Sequence, residues 1–172
     1  MAHTLSLQHT GPHVGVPIPS PRYSERTERA MAQSEAFCRA RGARLTPIRR
    51  RVLELLHGFD KPLGAYDLVE LLGSQGHRMA PITVYRALDF LIEQGLAHRL
   101  ASRNAFVACP HGHGPGDLVA LLICERCQGV DEVASAGLRR AVSQALAGEG
   151  FEPHLQVLEI SGTCAHCRAG AA

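Results

Sequence analysis

The sequence predicts a mixed α/β (α+β) chain in two parts: an N-terminal helical domain closed by a β-hairpin, then a small domain of strands and one helix. Three observations carry this. From Ser24 to Gly95, apolar residues recur at helical spacing between proline and glycine breaks. Two short apolar runs then flank a polar turn. Finally, the Gly/Pro-punctuated stretch from Cys109 to Gly116 separates these from a segment of short apolar runs and two pairs of cysteines.

Residues 1–23 include Pro12, Pro17, Pro19 and Pro21 and few large apolar groups, so a flexible tail is expected, with His3, His9 and His13 solvated. From Ser24, the spacing of Met31, Ser34, Phe37, Cys38 and Arg41 predicts a helix stopped at Gly42, with Cys38 a core residue. Thr46-Pro47 reads as an N-cap and a first-position proline. Ile48, Val52, Leu55, Leu56 and Phe59 form the apolar stripe of the next helix, which Pro62 and Gly64 break. A third helix starts near Ala65-Tyr66 and buries Leu68, Leu71 and Leu72. Pro81 opens a fourth, with Val84, Leu88, Leu91 and Ile92 on one face and Gly95 just past its end. Leu96–Leu100 and Ala105–Ala108 around Ser102-Arg103-Asn104 predict a hairpin, and helices followed by such a hairpin make a winged helix-turn-helix over residues 24–108. After the hinge at 109–116, strands are expected at Leu118–Ile123, Gly129–Val133 and His154–Ile160, with a helix at Leu138–Ala147. A domain of about 60 residues commonly needs a metal or a partner copy for stability.

Composition narrows the function classes. The 172 residues are 45% hydrophobic and 20% charged, as in ordinary globular chains, and no apolar run is long enough to span a membrane. The opening residues do not form a charged-then-apolar leader, so a cytoplasmic location with six reduced cysteines is expected. Net charge is +2, but residues 1–100 carry 13 basic and 9 acidic side chains, whereas residues 101–172 carry 5 and 7. A basic front half suits a polyanion. No phosphate-cradling glycine loop, Ser/His/Asp arrangement or carboxylate cluster suggests an enzyme or a small-molecule substrate.

Cys124-Glu125-Arg126-Cys127 and Cys164-Ala165-His166-Cys167 are two C-x-x-C knuckles. A redox motif needs only one such pair, at a helix N-terminus. Two pairs, each beside a strand, point instead to four thiolates about 2.3 Å from a structural Zn²⁺. Cys109 falls outside this set, close to His98, His111, His113, Asp117 and Glu132 in sequence or on adjoining strands. A mixed Cys/His/carboxylate group favours zinc over iron. A lone cysteine is equally often a small buried hydrophobe, and these residues alone leave the two readings level.

The fourth helix leaves Thr83, Tyr85, Arg86 and Asp89 facing outward, where a recognition helix would contact bases in a major groove. Arg86 suits a bidentate contact to guanine. Arg49, Arg50, Arg51 and Arg99 are candidates for phosphate contacts, although for Arg50 and Arg51 a solvated surface charge is the better reading.

The segments Arg44-Leu45-Thr46-Pro47-Ile48-Arg49, Ala65-Tyr66-Asp67-Leu68, Pro81-Ile82-Thr83-Val84-Tyr85-Arg86-Ala87-Leu88-Asp89-Phe90-Leu91 and Cys124-Glu125-Arg126-Cys127-Gln128-Gly129-Val130 resemble, in order and spacing, the ferric uptake regulator family. The similarity runs from about Ser24 to Arg168 and is greatest to the family's zinc-uptake branch. The resemblance implies one structural zinc in the knuckles and one regulatory zinc at the domain hinge, with ligands His98, Cys109 and Glu132. Where zinc regulators have a histidine seven residues before the first knuckle, this chain has Asp117. Asp117, His113 and His111 are the choices for the fourth ligand. The His-His-Asp-His run of iron and peroxide sensors is replaced by Leu118-Val119-Ala120-Leu121. The resemblance also places Tyr66 against DNA. It implies a homodimeric, zinc-responsive repressor on palindromic operators of zinc-acquisition genes, with an iron- or peroxide-responsive regulator as the alternative. A zinc-ribbon enzyme is the rival from a different class.

Overall fold

Helix α1 (Pro21–Ala40) starts three residues before the expected point. Proline at a helix start loses no hydrogen bond, because the first amides have no intrahelical partner. The structure, a computed structural model, describes residues 21–110, 112, 117–153 and 156–170. His3, His9, His13, His111, His113 and His154 lie outside the described residues. The described residues up to 112 form one unit and those from 117 onward a second.

In the first unit, α1 is followed by α2 (Pro47–Gly58), β1 (Leu63–Gly64), α3 (Ala65–Ser74) and α4 (Pro81–Glu93). Thr46 stands at the N-cap of α2 with extended backbone, and Pro47 follows it as expected, but the Thr46 side chain makes no capping bond. The start of α3 is held instead by the Gly64 N–H, which donates to Asp67 Oδ2 at 2.8 Å. Helix α4 ends on Gly95, whose φ of 69° puts it in the left-handed region that glycine adopts without strain. There the Gly95 N–H donates to the Ile92 carbonyl, and the Leu96 N–H reaches back to the Leu91 carbonyl at 2.8 Å. This turn seats Leu96 in the core and aims the chain into β2 (Ala97–Leu100).

A turn of 3₁₀ helix, Ala101–Arg103, and Asn104 in left-handed conformation connect β2 to β3 (Ala105–Ala108). The two strands pair antiparallel, with His98 opposite Val107 and Arg99 opposite Phe106. Strand β1, absent from the sequence expectation, pairs with the other edge of β3 through Leu63 and Phe106. The α3–α4 pair followed by this hairpin is the expected winged helix-turn-helix.

Val52, Leu53, Leu68, Leu72, Val84, Leu88 and Leu91 are fully buried where α2, α3 and α4 meet. Leu71, expected beside them, is only half-buried. Leu88 is completely inaccessible at the centre of α4. Leu88→Ala is expected to cost about 2–5 kcal/mol through the lost methylene groups and the cavity they leave. Urea unfolding measures this, and a loss below about 1 kcal/mol would show that the core collapses around the gap.

The second unit contains β4 (Leu118–Cys124), β5 (Val130–Val133), α5 (Ala136–Gly148), β6 (Gln156–Gly162) and the short α6 (Ala165–Ala169). Its sheet has the order β5-β4-β6, with β5 antiparallel and β6 parallel to β4. Six of the seven residues of β4 are buried, consistent with a central strand. Helix α5 is capped by Ser135, whose Oγ accepts from the Leu138 N–H at 3.3 Å, yet none of its residues is fully buried. Helix α6 is absent from the sequence expectation, since five residues carry too little periodicity to show a helix.

Candidate metal centre and nucleic-acid interface

Strands β4 and β6 run in parallel register, with Cys124 beside Gly162, so both deliver a cysteine knuckle to the same end of the sheet. The Glu125 N–H donates to the Gly162 carbonyl at 2.8 Å and extends the ladder into the first knuckle. Gln128, at a φ of 66°, turns the chain back, and its amide donates to the Cys124 carbonyl. In the second knuckle, Cys164 caps α6 by accepting the Cys167 N–H on its Sγ at 3.4 Å. Arg126 joins the two: its guanidinium donates to the Cys167 carbonyl at 3.0 Å. Sequence reasoning missed Arg126, because nothing local signals a bond spanning 41 residues.

The four Sγ atoms of Cys124, Cys127, Cys164 and Cys167 lie within 4.8 Å of one another. Those of Cys127 and Cys164 are 3.9 Å apart. A tetrahedron of sulfurs about 2.3 Å from a central Zn²⁺ has edges of about 3.8 Å, so the donor set fits the ion. The electrostatics point the same way. The Cys164 N–H, 3.4 Å from Cys124 Sγ, and the Cys127 amide lower the Cys124 thiol to about 6. Cys167 is pushed up to about 12, chiefly by its contact with the Cys164 sulfur, and burial raises Cys127. Four sulfurs so close cannot all ionise without a cation among them.

In the first unit, His98 on β2 and Cys109 just after β3 are both buried, and a His98 ring nitrogen lies within 4.8 Å of Cys109 Sγ. The Cys109 N–H is tied to the Leu96 carbonyl at 2.8 Å, and its sulfur accepts the Gly112 N–H at 3.2 Å. In the second unit, Glu132 sits on β5 opposite Leu121, and Asp117 precedes β4 with an oxygen 3.7 Å from Arg139. His111 and His113 fall outside the described residues. Cys38 is a core residue, 1% exposed, as expected.

On α4, the buried Val84, Ala87, Leu88 and Leu91 leave Ile82, Tyr85, Arg86 and Asp89 exposed on the opposite side, with Thr83 half-buried at its margin. Tyr66, on the first turn of α3, is 72% exposed. A shallow groove between the starts of α2 and α4 is lined by Thr46, Ile48, Arg49, Thr83, Arg86 and Ala87. Arg49 is held in it by stacking 3.5 Å over the Phe90 ring and by donating to the Arg44 carbonyl at 3.0 Å. Arg50 is paired with Glu35 and Glu54, and Arg51 with Glu54, so acidic neighbours already engage both. Arg99 donates to Asn104 within the wing.

The model of the ferric uptake regulator family matches residues 40–161. The chain belongs to the ferric uptake regulator family. Members are metal-responsive transcriptional regulators, so the chain is a regulator and not an enzyme. The zinc uptake regulation protein of Escherichia coli (strain K12) is 40% identical over 141 residues, which cover 82% of each chain. A solved zinc uptake regulator complexed with zinc and DNA superposes with a TM-score of 0.77 at 39% identity, covering 85% of this chain and 98% of that one. Holo XcZur gives 0.75 at 41% identity, covering 83% and 99%. This Fur-family regulator thus has the fold and knuckle arrangement of zinc uptake regulators. No helix among its described residues is long and apolar enough to cross a membrane.

Proposed function

We propose that this protein is a cytoplasmic, zinc-responsive repressor that binds palindromic operators of zinc-acquisition genes as a homodimer. The observation that carries zinc as the signal is the buried pair of His98 and Cys109, an imidazole and a soft thiol within 4.8 Å of each other. His98, Cys109 and Glu132 are assigned as ligands of a regulatory ion separate from the knuckle zinc, with Asp117 as the fourth. An oxygen of Asp117 suits zinc at about 2.0–2.2 Å. The ion, when bound, supplies a cross-link that holds the two winged helices of the dimer at the spacing of an operator's half-sites.

The homodimer reading is supported by exposed apolar surface on the second unit. Leu122 and Ile160, register neighbours on one face of the sheet, are 38% and 50% exposed. An exposed apolar pair of this kind suits an interaction surface, and Phe151, 62% exposed, adds to the unit's exposed apolar groups. DNA is met by α4, with Arg86 on guanine, Thr83 and Tyr85 on neighbouring base edges, Tyr66 from α3, and Arg49 on a phosphate.

Operator affinity should rise as free zinc is raised in a metal buffer. A coupling of about 1–3 kcal/mol corresponds to roughly 5- to 150-fold. Cys109→Ser should stay at its zinc-free affinity while keeping the knuckle zinc. A Cys109→Ser protein with the wild-type zinc response would refute the ligand assignment. Restoration of DNA binding by iron but not zinc would identify an iron sensor instead.

A further inference from the structure

The first turn of α4 presents an unexpected side chain to solvent. Ile82 is 58% exposed and follows Pro81 at the start of the helix. It occupies the first place of an outward stripe, Ile82, Tyr85, Arg86 and Asp89, spaced i, i+3, i+4, i+7 opposite the buried face. Such a face normally carries polar groups, and an aliphatic branched side chain there forms no hydrogen bond and stays largely in solvent.

We propose that Ile82 is a specificity-determining residue that reads the C5-methyl group of a thymine in the operator. The proposal deepens the assignment of α4 as recognition helix and rests on it. Of the four bases, only thymine offers an apolar group in the major groove, so an exposed aliphatic side chain there has one complementary partner. The surroundings suit that partner. Arg86 is one turn further along the same stripe, and Arg49 is braced in the groove beside the helix start. The cations hold the helix against the polyanion while Ile82 contacts a base they cannot distinguish. The register also implies that the thymine lies within a helical turn's reach of the guanine read by Arg86.

The test uses the full-length, zinc-loaded protein and a duplex it selects itself from a random-sequence pool. Each thymine is replaced in turn by deoxyuridine, which removes only the methyl group. At one position per half-site the wild type should lose about fourfold in affinity, the value of one buried methyl-sized group. Ile82→Ala should bind the parent duplex at least about fourfold more weakly, the value of one of the three carbon groups it removes, and lose nothing further at that position. Ile82→Val should keep part of the sensitivity. Ile82 is exposed, so these variants leave the core intact. An Ile82→Ala protein with the full wild-type set of deoxyuridine losses would overturn the proposal while leaving α4 in the groove. The Arg86→Ala arm separates the two readings, with a loss of about tenfold or more expected at one guanine. Undiminished binding by Arg86→Ala would overturn the recognition-helix assignment, and the role of Ile82 with it.

Discussion

Cys124→Ala should leave the protein without its knuckle zinc and without a folded second unit. Outside β4, the described apolar side chains of that unit are only half-buried or exposed. Helix α5 has no fully buried residue, and the apolar side chains of Leu122, Phe151 and Ile160 are exposed. Structural zinc sites of this kind contribute about 10–16 kcal/mol of binding energy, which is then folding energy. Three remaining thiols cannot close the tetrahedron, and the ladder carried into the knuckle by Glu125 and Gly162 would open. Metal content and amide exchange report the outcome together: zinc should fall to well under one per chain, and the β4 amides should lose protection. The amides around Leu53 and Leu88 in the first unit should remain slow. A variant that retained the full wild-type zinc content with β4 protected would show that Cys124 is not a ligand.

The second large effect concerns acid. His57 lies in the last turn of α2, with its Nε2 buried and lacking a hydrogen-bond partner. Burial, reinforced by the positive charge of Arg26, lowers its pKa from 6.5 to about 4. Arg26 is itself paired to Asp60 at 3.7 Å, which keeps the guanidinium in place. The folded protein therefore holds His57 neutral, while the unfolded chain takes up a proton below 6.5. Stability is fully present above about pH 6.5 and is lost as the pH falls toward 4. The loss from this residue should be about 2 kcal/mol between pH 7 and 5, and about 3 kcal/mol in full. His57→Leu should flatten that part of the profile. Taking the wild-type minus variant difference at each pH cancels the contribution of the knuckle thiols, which both proteins share. Parallel unfolding profiles from pH 7 to 5 would show that His57 titrates normally.

What the sequence reveals divides by the range of the interactions involved. Helices α2 and α4 are readable because their buried residues recur every three or four positions and proline marks each start. The knuckles are readable because two donors three residues apart have few other uses. Strand β1 is not readable, since two residues have no periodicity and its partner Phe106 lies far along the chain. The stacking of Arg49 on Phe90 and the bond from Arg126 to the Cys167 carbonyl are equally non-local. Ile82 was open to detection, because its spacing to Tyr85, Arg86 and Asp89 was present in the sequence. Its apolar side chain sets it apart from the polar groups that mark the rest of that outward face. His57 also carried a signal: it is four residues beyond Leu53, at the margin of the apolar stripe of α2.

The parallel pairing of β4 with β6 has a kinetic consequence. Their register joins Leu118 to Gln156 and Cys124 to Gly162, across a connection that includes α5. Pairings so distant in sequence form late, and apolar strands permit sliding. A slip of one residue would invert the faces of β6 and displace Cys164 by about 3.3 Å, nearly the whole edge of the sulfur tetrahedron. The four-thiolate site thus acts as a vernier on strand alignment, closing only on the correct tooth. Chains that pair out of step cannot retain the ion and remain free to separate and try again. Refolding with and without added zinc should therefore give a lower yield of correctly aligned protein when the ion is withheld.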